Sequence, residues 1–232
     1  GERNAEILAS WCDSRIRAHK KEGIIKSLTG VWKEEHVFEL EQSYSIYQFY
    51  HAKLKECDAK IEEHLREKSG VDTFVEPQKK EKSNKNNLNF NGKEMLYELT
   101  GTDLAEIFGI TETNAIEIIS EVGLDMSKWP TVKHFTSWLN LAPNNKKSGG
   151  KVLSSRIPKK KNHAGQIFRM AAFAIQRSKN WLAMFYNRIK AKNGAPKAIV
   201  ATARKIAAIF YHMVKERVNF NPIPIEKCMD RV

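Results

Sequence analysis

Ser148 stands directly before two glycines in the run NNKKSGGKVLSSRIPKKKNHAG, residues 144–165, which holds seven Lys or Arg and no Asp or Glu. A hydroxyl among cations can act on a phosphodiester. The serine oxygen is a nucleophile, Lys and Arg offset the charge that builds on phosphorus, and glycine lets the backbone come close. The plain alternative is turn chemistry, because Ser and Gly are also the residues with which a chain bends. Ser154 and Ser155 follow in the same run but lack the paired glycines, and His134 and His163 are the nearest imidazoles in sequence that could move a proton. Residues 126–215 contain no carboxylate, so this stretch cannot by itself hold the divalent ions of a metal-dependent nuclease or polymerase. No metal site is expected in it. What it can supply fits phosphoryl transfer through a covalent phosphoserine.

The charge distribution points to the partner. Net charge is +12, and residues 126–215 carry nineteen Lys and Arg; elsewhere twenty basic residues face twenty-seven acidic ones, a net of minus seven. A segment that cannot neutralise itself needs a polyanion, and a nucleic-acid backbone is the usual one because binding it releases condensed counterions. An anionic membrane fits less well, since the basic residues are not gathered on one amphipathic helix. Within the run, Lys146, Lys147, Lys151, Arg156, Lys159, Lys160 and Lys161 are expected to hold DNA or RNA, with Gly149 and Gly150 admitting the backbone. No apolar stretch is long enough to span a bilayer and the start, GERNAEILAS, has no signal-peptide pattern, so a cytoplasmic, nucleoid-associated location is expected. Cys12, Cys57 and Cys228 are far apart with no CxxC spacing, which suggests reduced thiols.

The elements that must position this chemistry read as helices. Two short pieces occupy residues 3–28, and a long helix runs from Glu34 to about Lys68, with Val37, Leu40, Tyr44, Tyr47, Leu54, Ile61 and Leu65 at spacings of three, four or seven. That stripe is coiled-coil-like, softened by His51 and Asp58, and its partner could be a second copy of the chain or another helix of this one. Residues 69–92 are polar, rich in Lys and Asn, and read as a linker. Helical pattern resumes at about 93–99, 102–108, 112–122 and 131–140, and again beyond the basic loop near 164–178, 181–192 and 196–217. No run alternates as a strand should, so the fold class is all-α, with a helical segment 1–68, a linker 69–92 and a helical domain 93–232 bearing the basic loop 144–165. In IFGITETNAIEIISEVG, residues 107–123, a short helix, a tight turn at Gly109-Ile110 and a second helix from Glu112 resemble a helix-hairpin-helix, whose turn amides can meet a phosphate. Gly109 and Thr111 are the candidate contacts. Thr111 replaces the usual second glycine, and Glu112 at the helix start opposes an anion.

WPTVKHFTSWLNLAPNNKKSGGKVL, with the downstream AAFAIQRS, FYNRIKAKNGAPKAIVATARKIA and YHMVKE, resembles the C-terminal domain of insertion-sequence transposases that pair an N-terminal RuvC-like DEDD domain with a serine-bearing domain, the bridge-RNA-guided recombinase family. SLTGVWKEEHVFELEQSYSIYQFYHAKLKECDAKIEEHL is similar to that family's coiled-coil segment. The resemblance covers nearly the whole chain. It implies that Ser148 is the nucleophile that cleaves and rejoins DNA, that the partners are DNA, a guide RNA and further copies of the chain, and that Mg²⁺ enters through a RuvC-like domain that no position here matches. The chain, which opens on Gly1, is accordingly expected to be the C-terminal portion of a longer enzyme and inactive alone. The other reading is a non-catalytic module that grips nucleic-acid backbone.

Overall fold

Asn4 and Asp13 begin the first two helices by side-chain capping. In the computed structural model, which describes residues 2–30, 33–69, 88–143, 145–155 and 162–222, the Asn4 side chain accepts from the N–H of Glu6 and Ile7 at the start of α1 (Ala5–Ser10). Asp13 accepts from the N–H of Arg15 at the start of α2 (Ser14–Leu28). Each cap satisfies a donor that the first helical turn leaves without a partner. The Arg15 guanidinium also bonds Asp13 and holds its carboxyl below the usual range. The long helix α3 (Glu34–Ser69) follows, and none of its residues is buried. Its charges instead pair along its own surface, Lys53 with Glu56, Lys60 with Glu63, and Arg66 with Glu62, at the three- and four-residue spacings that a helix brings side by side.

The chain divides into two compact units, Gly1–Glu56 and Cys57–Val232, with the boundary inside α3. Most of the expected linker, residues 70–87, lies outside the described residues. Asn89 then donates to the Asp58 carboxylate from both its backbone and its side-chain amide, and α4 begins at Gly92.

The second unit is a helical bundle of α4 (Gly92–Thr100), α5 (Glu112–Val122), α6 (Val132–Trp138), α7 (His163–Ala174), α8 (Trp181–Asn193) and α9 (Ala195–Glu216). The centre is α9, which packs on α6, α7 and α8. It buries Ala198, Thr202, Ala203, Ile206, Ala207, Phe210, Tyr211, Met213 and Val214, a stripe at helical spacing that faces the core. Around it Phe210 meets Phe168 edge-on at 5.6 Å, and Phe135 lies 5.1 Å from Trp129 and 5.5 Å from Tyr211. Tyr211 is buried, and its hydroxyl donates to the Trp129 carbonyl at 2.8 Å, so its polar atom is not stranded in the core.

Two expectations change in detail. The helix expected over 102–108 is only a 3₁₀ turn, Leu104–Glu106, because Asp103 and Ile107 on either side are in extended backbone. The basic loop is not irregular throughout. Lys146–Ser148 (β1) and Lys151–Ser154 (β2) pair antiparallel as a two-stranded hairpin, a small exception to an otherwise helical fold. Its turn residues, Gly149 at φ 53° and Gly150 at φ 76°, both lie in the left-handed region. A two-residue turn of that hand matches the natural twist of the strands, and glycine enters it without a Cβ penalty. Among the described residues no helix is long and apolar enough to cross a membrane.

Candidate active site and nucleic-acid interface

The position of Ser148 is set first at the base of its hairpin. Asn162 caps α7, accepting from the Gly165 N–H at 2.7 Å, and its amide donates to the Trp138 carbonyl at 3.2 Å. Arg169, about two turns further along α7, donates to the Asn140 carbonyl at 2.8 Å. Gly165 lies so close to the Leu139 carbonyl oxygen that a Cβ there would collide with backbone. The start of α7 and the end of α6 are thereby locked together, and the segment that carries Ser148 leaves and returns at one fixed point. Arg169 is half-buried, and that desolvation pushes its guanidinium pKa down from the usual arginine value.

From this base the hairpin runs outward. Ser148 pairs with Lys151 across the two glycines, so both side chains stand on the same face. The Lys151 ammonium, a donor only, thus stands beside the Ser148 hydroxyl. Lys146, Lys147, Ser148, Gly149, Gly150 and Lys151 are all exposed. Nothing lies within 4 Å of where a Cβ would sit on Gly149 or Gly150, so the open side of the turn can receive a ligand. Among the described residues the Ser148 hydroxyl has no side-chain base bonded to it. His134 shares a 2.8 Å hydrogen bond with the Thr131 hydroxyl, and His163 is the exposed first residue of α7. Arg156, Lys159, Lys160 and Lys161 lie outside the described residues.

Gly109 and Thr111 both have work inside the fold. A Cβ on Gly109, whose φ is 86°, would meet the Ala171 carbonyl oxygen of α7 at 2.7 Å, so glycine lets this turn press against that helix. The Thr111 hydroxyl caps α5, accepting from the Asn114 N–H at 3.2 Å and donating to the Asn114 side-chain oxygen at 3.0 Å.

One group of functional-looking residues escaped the sequence reading. Lys205 of α9 lies over the rings of Trp181 and Phe185 at 5.7 and 5.6 Å, and Arg188 of α8 lies over Phe185 at 5.8 Å. Trp181, Phe185 and Arg188 at spacings of four and three are the trace of this cluster in the sequence, but Lys205 joins it only through tertiary packing.

With this geometry in view, comparison with known proteins places residues 101–187 in a match to the transposase IS116/IS110/IS902 family. The matched stretch holds the turn at Gly109, both anchors of the hairpin base, Ser148 itself and the first half of α8. It supports an insertion-sequence transposase. No curated protein matches the chain.

Proposed function

We propose that this chain supplies the serine nucleophile of a DNA transposase, with Ser148 cutting and rejoining strands within a nucleoprotein complex. The observation that carries the reading is the exposed Ser148–Lys151 pair at the tip of a hairpin anchored at its base, inside the stretch similar to a transposase family. Attack by the Ser148 oxygen forms a serine–phosphorus bond and breaks the phosphorus–sugar oxygen bond. The serine proton leaves to solvent or a base, and the departing sugar oxygen gains one. Rejoining is the reverse, in which a sugar hydroxyl attacks the phosphoserine and Ser148 recovers its proton. Lys146, Lys147 and Lys151 grip phosphates on either side, and Arg156 and Lys159 to Lys161 belong to the same basic run. Gly109 and Thr111 could touch the backbone only as an addition to their internal roles.

Among the described residues the Mg²⁺ implied by the resemblance finds no set of ligands. Residues 126–215 offer no carboxylate, and no three His, Cys, Asp or Glu among the described residues are grouped to hold an ion. No step is routed through it. A RuvC-like domain and a guide RNA are proposed as separate parts of the active complex, and a serine without a bonded base is a weak nucleophile until such parts engage it.

The test is a denaturing gel of end-labelled target DNA incubated with the chain, alone and together with the RuvC-like domain, guide RNA and Mg²⁺. The expected result is binding without a covalent adduct for the chain alone, and an adduct in the complete mixture that Ser148→Ala removes. An adduct that survives Ser148→Ala would overturn the assignment and move the nucleophile elsewhere, and no adduct even in the complete mixture would leave the second reading, a module that only grips backbone, which the exposed lysines of the hairpin also favour.

A further inference from the structure

The cations of α8 and α9 are arranged differently from those of a solvated surface. Arg188 and Lys205 come from two helices and converge on the ring of Phe185, and Lys205 also covers Trp181. Two like charges drawn to one ring repel each other. The usual remedy is a carboxylate between them, and residues 126–215 have none. Seating on rings holds these side chains in place and removes part of the ordering cost that a long cationic side chain meets on binding an anion. The helices beneath are rigid, since Trp181, Leu182, Ala183 and Tyr186 of α8 and Ala198, Thr202 and Ile206 of α9 are buried.

We infer that the α8–α9 face around Arg188 and Lys205 is a second nucleic-acid surface, which takes the phosphate backbone of duplex DNA without reading its sequence. This rests on the transposase reading for its choice of DNA, and it is distinct from the hairpin at Ser148. Duplex backbone is favoured over stacked single-strand bases because the Phe185 ring is already covered by cations, leaving charge and not an open aromatic platform to meet the ligand. Trp181 is buried and equally unsuited to stacking.

The test measures binding of a short random-sequence DNA duplex by fluorescence anisotropy across a salt series, for the wild type and for Arg188→Gln with Lys205→Met. Methionine keeps an apolar stem against Trp181 and Phe185 while losing the charge. Loss of two phosphate contacts should make the plot of log affinity against log salt shallower by about 2, so that the variant's deficit at about 50 mM salt shrinks roughly tenfold by about 200 mM. Arg188→Lys with Lys205→Arg keeps both charges and should retain the wild-type slope, which separates lost charge from lost folding. A slope unchanged by the neutral pair overturns the inference, as does a loss that the charge-preserving pair shares. A slope that falls for an RNA duplex but not for DNA overturns the choice of DNA. If the covalent adduct fails to form while the slope falls as expected, the nucleophile reading has failed and this surface stands; an adduct with an unmoved slope is the reverse.

Discussion

α3, with 36 residues, and α9, with 22, are the two longest helices described, and both carry Lys and Arg along their exposed sides. On α3 these cations meet Glu at three- and four-residue spacings, and no residue of the helix is buried. On α9 nine residues are buried, and cations rest on aromatic rings or on polar oxygens: Lys205 over Trp181 and Phe185, and Lys215 donating to the Tyr211 hydroxyl at 2.8 Å. A helix whose charges are neutralised by its own sequence has little left for a polyanion. Cations seated on rings and neutral oxygens, as Lys205 and Lys215 are, keep their charge on offer. Counting Lys and Arg does not distinguish the two; asking what each cation already touches does.

The difference is open to four tests, taken from the largest effect down. Phe210→Ala should destabilise the second unit by about 3–5 kcal/mol, because the ring is fully buried against Phe168 and Phe135, while Leu54→Ala on α3, where the side chain is 58% exposed, should shift stability by no more than about 0.5 kcal/mol. Denaturant unfolding monitored by tryptophan fluorescence reads both. Replacing Lys146, Lys147 and Lys151 together by Gln should flatten the salt dependence of DNA binding by about 3, and Lys53→Gln with Lys60→Gln should leave it unmoved. Equal slopes for the two sets would erase the contrast. The exposed Leu40, Tyr44, Tyr47 and Leu54 of α3 would be covered if a second copy packs there, so Leu54→Asp should move the mass seen by light scattering toward the monomer. A wild type already monomeric at high concentration would count against that assembly.

The smallest effect concerns pH. The hydrogen bond and charge of Lys60 hold the Glu63 carboxyl below its usual value, so the pair's support for α3 is complete above about 4.5 and is lost as pH falls through the lowered value. Far-ultraviolet circular dichroism should show a slight loss of helix there that Lys60→Met abolishes.

Much of this was legible beforehand, for reasons that differ by element. α5 was expected over 112–122 and runs Glu112–Val122, because Thr111, a capping residue, Gly123 and the buried Ala115, Ile118, Ile119 and Val122 all mark the same span. α9 was read just as closely from its long apolar stripe and the Gly194-Ala195-Pro196 break. The hairpin was not, because strands exposed on both faces need no alternation of apolar and polar residues; the available cue was the Gly-Gly pair as a two-residue turn. At the site, sequence singled out Ser148 and the lysines around it, but the anchoring of the hairpin depends on Asn162 and Arg169 reaching carbonyls 24 and 29 residues earlier, a distance that no local pattern encodes.

That anchoring has a consequence for how the protein can vary. With the chain tied at Trp138 and Asn140 on one side and at Asn162 and Arg169 on the other, the intervening stretch is a closed loop whose ends are fixed by the bundle and not by the loop's own content. The entropy cost of closing such a loop rises only with the logarithm of its length, by roughly 0.6 kcal/mol for each doubling. Shorter, longer or differently charged inserts between residues 143 and 161 could therefore be exchanged without unsettling the helices that hold them, which makes the Ser148-bearing hairpin a cassette and the bundle its socket.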